Sequence, residues 1–153
     1  NLFVAPITAN EFLSMLEVKL ELEKIAIRLT ARRIDEEMLQ LLRDKLQQME
    51  VQYHSGDMEQ YKVIHNDFHL SLCTMCGVSY LAKAIEDAFS HHTRGVTYFH
   101  LKSWEHGHSI EQHREIVNAL ERRDAVAAER CLSENRSNAT ALYTKQLDEQ
   151  HLS

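Results

Sequence analysis

Apolar residues recur at intervals of three and four along almost the whole chain, the spacing of helices that bury one face. Phe12, Leu16 and Leu20, with Leu13, Leu22, Ile25, Ala26 and Leu29, trace a first helix to about Arg33. Thr8-Ala9-Asn10-Glu11 opens it as a capping box. Asp35 stands as the N-cap of a second helix, carried by Met38, Leu41, Leu42, Leu46 and Met49 and stopping near Gly56. Asp57 caps a third, with Tyr61, Ile64, Phe68 and Leu72 on its buried side and Gly77 as its C′ residue. Ser79 opens a longer helix through Leu81, Ile85 and Phe89 to roughly Leu101, and Trp104 to His108 reads as a loop. A second capping box, Ser109-Ile110-Glu111-Gln112, starts a helix through Ile116, Val117 and Leu120. Asp124 caps the last helix, which passes Ala128, Leu132 and Ala139 and frays beyond Tyr143. The pattern predicts an all-α protein, an antiparallel bundle of six to seven helices over residues 8–153. Residues 1–7 are extended in character and read as a linker from an upstream domain.

Composition agrees with helices, since there are only four glycines and one proline, at position 6. A formal net charge of −6 argues against a nucleic-acid-binding surface, which needs clustered Lys and Arg. No apolar run is long enough to span a membrane and no signal-peptide pattern is present. Three cysteines do not read as a disulfide framework, which points to a reducing cytoplasm.

Histidine is the unusual component: there are ten, and eight fall between His65 and His113. His65 and His69 stand four residues apart, so on a helix they share the buried face of Tyr61, Phe68 and Leu72. His113 shares a face with Ile116, Val117 and Leu120, and Asn135 lies one turn from Leu132 and Ala139. Antiparallel neighbours can bring positions 113 and 135 to the level of the pair. A single core histidine is more often a hydrogen-bonded packing residue. An i, i+4 pair with a third imidazole also describes a metal or ligand site, imidazole favouring Zn, Ni and Cu.

His65-Asn66-Asp67-Phe68-His69 is not the zincin motif, which needs Glu directly after the first His as general base. Asp67 falls on the opposite helical face and reads as a solvated charge. Cys73-Thr74-Met75-Cys76 lies at the C-terminal end of its helix, where the dipole does not favour a thiolate, and no second CxxC completes a zinc site. These cysteines read as small buried hydrophobes. No nucleophile elbow, P-loop or dinucleotide fingerprint occurs, and the chain reads as a non-enzyme. Lys19 and Arg94 are the cations that stand out, either as ordinary solvated side chains or as contacts for an anionic ligand.

Several segments together resemble a known family. Val18-Lys19-Leu20-Glu21-Leu22-Glu23-Lys24-Ile25-Ala26-Ile27-Arg28-Leu29-Thr30-Ala31 is similar to the first-helix signature of the FadR C-terminal (FCD) domain of GntR-type bacterial transcription regulators. Phe68-His69 matches its Phe-His signature, and Gly77 to Leu81 lies where the family has its Gly-Asn turn. His113 to Leu120, followed by Arg123-Asp124 and Ala128, resembles its last two helices. The resemblance implies an effector-binding and dimerising domain that follows an N-terminal winged helix-turn-helix and senses small carboxylic acids. It also implies a divalent metal, Zn or Ni, held by Asp, His, His and His. Those positions fall here on His65, His69, His113 and Asn135, two matching and two departing. The family's helix-one Arg falls on Lys19, a point charge in place of a fork. Three neutral imidazoles and an amide leave the ion's charge uncompensated, so weaker metal retention and stronger attraction for an anion are expected.

The resulting expectation is a cytoplasmic homodimer that binds a small organic acid through the metal, the histidines and Lys19 or Arg94. It touches DNA only through the N-terminal domain. Two alternatives stand beside it: a metal-free module in which the histidines and Asn135 bind the effector directly, and a three-histidine metalloenzyme, which lacks a recognisable base.

Overall fold

A computed structural model describes residues 7–102 and 109–152. Six helices make up almost all of them: α1 (Ala9–Arg33), α2 (Glu36–Ser55), α3 (Met58–Thr74), α4 (Ser79–Tyr98), α5 (Ser109–Glu121) and α6 (Ala125–Leu152). No strand occurs among the described residues, so the all-α bundle is the fold.

The caps explain most boundaries. The Thr8 hydroxyl accepts from the Glu11 N–H at 3.1 Å, and the Glu11 carboxylate accepts from the Thr8 N–H at 2.9 Å. Asp35, Asp57 and Asp124 accept from the N–H groups of Met38, Gln60 and Ala127 at 2.8, 3.0 and 3.0 Å. Gly56 closes α2 with a left-handed φ of 81°.

Three boundaries differ from the sequence pattern. Gly77 has a φ of 78° but lies two residues past the α3 cap, Met75. Helix α4 ends at Tyr98, before Leu101, because His100 turns left-handed at φ 53°. The Leu101 N–H then donates to the Val96 carbonyl at 2.9 Å and the His100 N–H to that of Thr97 at 3.2 Å, a Schellman closure. Helix α6 continues past Tyr143 because Tyr143 and Leu147 are buried with Phe12 and Leu16. Gln146 further accepts from the Lys102 N–H at 2.8 Å and donates to the Lys102 carbonyl at 2.6 Å. The loop expected at Trp104–His108, the Ser109 cap side chain and positions 1–6 of the linker lie outside the described residues.

Helix α1 is the hub, packing on α6, α4, α3 and α5, while α2 packs on α3 and α5. The largest apolar cluster joins α1, α2, α3, α5 and α6 around Ile27, Leu42, Phe68, Ile116 and Leu132. A second joins Phe12 of α1 to Val96 of α4 and Tyr143 of α6. Gly95 permits that approach, since a Cβ there would lie 2.2 Å from the Phe12 ring. A third cluster holds Cys73 and Cys76 with Ala26, Ile85 and Phe89, and both thiols are buried in it. Asp67, on the outer face of α3, pairs with Lys45. Helices α1, α3, α5 and α6 also bury polar side chains, among them Lys19, Glu23, His69, His113, Asn135 and Arg136.

Candidate functional site

The i, i+4 row of α3 carries Tyr61, His65 and His69 inward, and α5 brings His113 against them from its first turns. His69 and His113 are fully buried, with their Nε2 atoms 2.8 Å apart. One nitrogen from each of His65, His69 and His113 lies within 4.8 Å of the other two. The His65 ring meets both partners edge-on, at centroid distances of 4.7 and 4.9 Å, and stacks on Tyr61 at 5.9 Å.

Burial holds His65 and His69 well below the ordinary histidine range, because an imidazolium there has lost its hydration. His113 and then Arg136 add to this for His65, and Arg136 and then His65 add to it for His69. Both rings are therefore neutral at pH 7 and present lone pairs. Such a donor set fits a borderline divalent cation, which imidazole binds at about 2.0–2.1 Å. Among the described residues it includes no carboxylate. The outer shell is incomplete, since His69 Nδ1 is buried without a hydrogen-bond partner, whereas metal-binding histidines usually donate from the second nitrogen.

Beside His65 lies a cavity of about 510 Å³ whose wall is drawn from α3, α4, α5 and α6. Its apolar part includes Phe89, Val96, Ala139 and Leu142, and its polar part His65, His92, Gln112, Asn135 and Arg136. Among the described residues, three basic ones, Lys62, Arg136 and Lys145, stand on the wall and no acidic one does. Asn135 donates from Nδ2 to Gln112 Oε1 at 2.8 Å, which sets it next to the residue preceding His113.

Lys19 and Arg94 are not part of the wall. Lys19 is buried, with Nζ 3.1 Å from Glu23 Oε2 and 4.1 Å from the centre of the Phe89 ring. Burial and the nearby Arg136 lower it to about 8, against the pull of Glu23. Arg94 is exposed and lies 3.1 Å from His91 Nδ1. Glu23 is the centre of the inner charges: its Oε1 accepts from Arg136 Nε and Nη2 at 3.1 and 2.9 Å. Burial alone pushes the Glu23 carboxyl up, but Arg136 and Lys19 outweigh it and hold the group below the usual carboxylate value.

The FCD domain profile matches residues 14–136. The chain belongs to the FCD domain family. Solved structures share its fold. Escherichia coli McbR/YncC superposes with a TM-score of 0.84 at 22% identity, over 94% of this chain and 72% of that one. Streptococcus agalactiae GntR gives 0.73 at 23% identity, over 88% and 61%. Lar, which controls the expression of the Listeria monocytogenes agr system and mediates virulence, gives 0.73 at 18% identity, over 94% and 68%. No curated protein matches the chain. An FCD domain is the effector-binding regulatory part of GntR-family regulators rather than an enzyme in general.

Within this FCD domain the three imidazoles stand out in the sequence pattern, whereas Glu23, His92 and Arg136 do not. Glu23 and Arg136 are 113 positions apart, so neither shows a partner locally. The available signal was positional. Arg136 follows Leu132 by one turn on the stripe that leads to Ala139 and Tyr143, and Glu23 follows Lys19 by one turn.

Proposed function

We propose that this FCD domain is the ligand-sensing and dimerising part of a GntR-type transcription regulator, and that its effector is a small carboxylic acid. The observation that carries the reading is the convergence of three imidazoles, those of His69 and His113 buried and that of His65 half-buried, beside a cavity whose wall has three cations and no acid among the described residues. His65, His69 and His113 would hold a divalent ion such as Zn or Ni, with Asn135 near the fourth position. When bound, the ion supplies positive charge for a carboxylate oxygen. Binding would shift the population of homodimer arrangements and so change the DNA affinity of an N-terminal winged helix-turn-helix. The additional length of the similar solved chains leaves room for such a domain, with residues 1–7 as the join and the whole protein in the cytoplasm.

A metal-free variant of the same reading has one observation in its favour: the 2.8 Å approach of His69 and His113 is also the length of a good hydrogen bond between two imidazoles. Thermal unfolding separates the two, using protein purified without a nickel column. Zinc raises the midpoint of the wild type and not of His113→Ala if the ion belongs there. A carboxylic acid at a hundred times its Kd then adds about 2.7 kcal/mol. An acid-induced rise that survives chelation selects the metal-free variant, and no response to either metal or acids defeats both.

A further inference from the structure

Arg136 carries a feature that the histidines do not explain. Its side chain is only 8% exposed, yet it stands on the cavity wall. Nε and Nη2 are both committed to Glu23 Oε1, and the guanidinium carbon lies 5.4 Å from the centre of the Phe89 ring. Nη1 hydrogen-bonds to none of the described residues. Nor is it sealed in the core, where His69 Nδ1 is the one unpartnered buried side-chain atom among them. One edge of the fork and its face are therefore fixed, and the other edge has two hydrogens available to the cavity.

The fixing is built in two steps. Lys19 takes Glu23 Oε2 and leaves Oε1 for Arg136, so the carboxylate is pinned from both sides. Two cations and one carboxylate leave this inner cluster with an excess of one positive charge. Lys62 and Lys145 reinforce that sign, and Phe89, Val96, Ala139 and Leu142 supply an apolar chamber beside it. A guanidinium with an open edge in such surroundings suits a carboxylate on a compact apolar body.

We infer that Arg136 is the anion anchor of this cavity, binding the effector's carboxylate through Nη1 without the help of an ion at the histidines. Lys19 and Glu23 are positioning residues for it. The inference rests on the effector-binding reading but assigns the carboxylate to a residue outside the histidine cluster.

Calorimetric titration of the full chain at pH 7.5 in EDTA tests it with two probes of one skeleton, cyclohexanecarboxylate and cyclohexanecarboxamide. The wild type is expected to prefer the carboxylate by roughly tenfold or more, the scale of a hydrogen bond to a charged group. Arg136→Gln loses the preference, while Arg136→Lys, which can keep an ion pair with Glu23, retains part of it. In nitrogen-proton spectra of the wild type, the Arg136 guanidinium signals shift with the carboxylate and not with the amide. That readout decides the matter if the Gln variant does not fold. A preference that disappears in EDTA, persists in Arg136→Gln, or leaves the Arg136 signals unmoved overturns the inference while the effector reading stands. If neither probe binds the wild type, with or without zinc, both fall.

Discussion

Glu23 holds two buried cations at once, and this makes it the residue whose loss should cost the fold most. Replacing it by Ala leaves Lys19 and Arg136 without their shared partner, which typically costs about 3–5 kcal/mol when a buried pair is broken. Lys19→Met, which removes the other charge of that pair and puts an unbranched apolar side chain where the ammonium lay over Phe89, is expected to be milder. Urea unfolding of the two variants checks the order. The imidazoles give a second residue-scale expectation. Burial holds His65, His69 and His92 well below the usual value of about 6.5, with positive neighbours adding to it. Below about pH 6.5 the unfolded chain takes up protons that the folded chain refuses, so stability present above that pH is lost as the pH falls. Each ring contributes a slope of up to about 1.4 kcal/mol per pH unit until its folded value is reached. Urea midpoints in EDTA at pH 7.5 and 5.5 should differ accordingly, and equal midpoints would refute the assignment. The histidines were legible in the sequence because an i, i+4 pair on an apolar stripe is a local pattern. Glu23 and Arg136 were not, because a charge on an apolar face looks the same whether it snorkels to water or meets a partner on a distant helix.

At the scale of the elements, α4 is the helix with a missing part. Its N-cap is Val78, which supplies no side-chain acceptor, whereas Thr8, Asp35, Asp57 and Asp124 all do for their helices. Val78 is 43% exposed, so Val78→Asp fits and is expected to raise stability by about 1 kcal/mol. A thermal midpoint unchanged or lowered would count against it. The sequence placed the opening at Ser79, where the helix begins. The ends of α4 and α6 were misplaced. Periodicity ran on through Leu101, but His100 takes a left-handed turn that residue type alone does not announce. Past Tyr143 the stripe thins to Leu147, and the helix persists through glutamine contacts to a segment more than forty positions away.

The whole molecule distributes one site over five helices. Lys19 and Glu23 come from α1, His65 and His69 from α3, Phe89 and His92 from α4, His113 from α5, and Asn135 and Arg136 from α6. Fold class and family were legible because periodicity, caps and the helix-one and helix-five segments are all contiguous. The cavity was not, since its wall mixes residues whose only common property is where the bundle places them. Charge is divided between scales in the same way. The chain as a whole carries −6, while the described residues of the cavity wall include bases and no acid. An approaching carboxylate thus meets repulsion at long range and attraction only at the mouth. Added salt screens the long-range part first, over a Debye length of about 10 Å at 0.1 M. Moderate ionic strength should therefore leave the association rate level or raise it, the reverse of a site steered by the protein's overall field. The encounter would be selected by proximity, with little guidance from a distance.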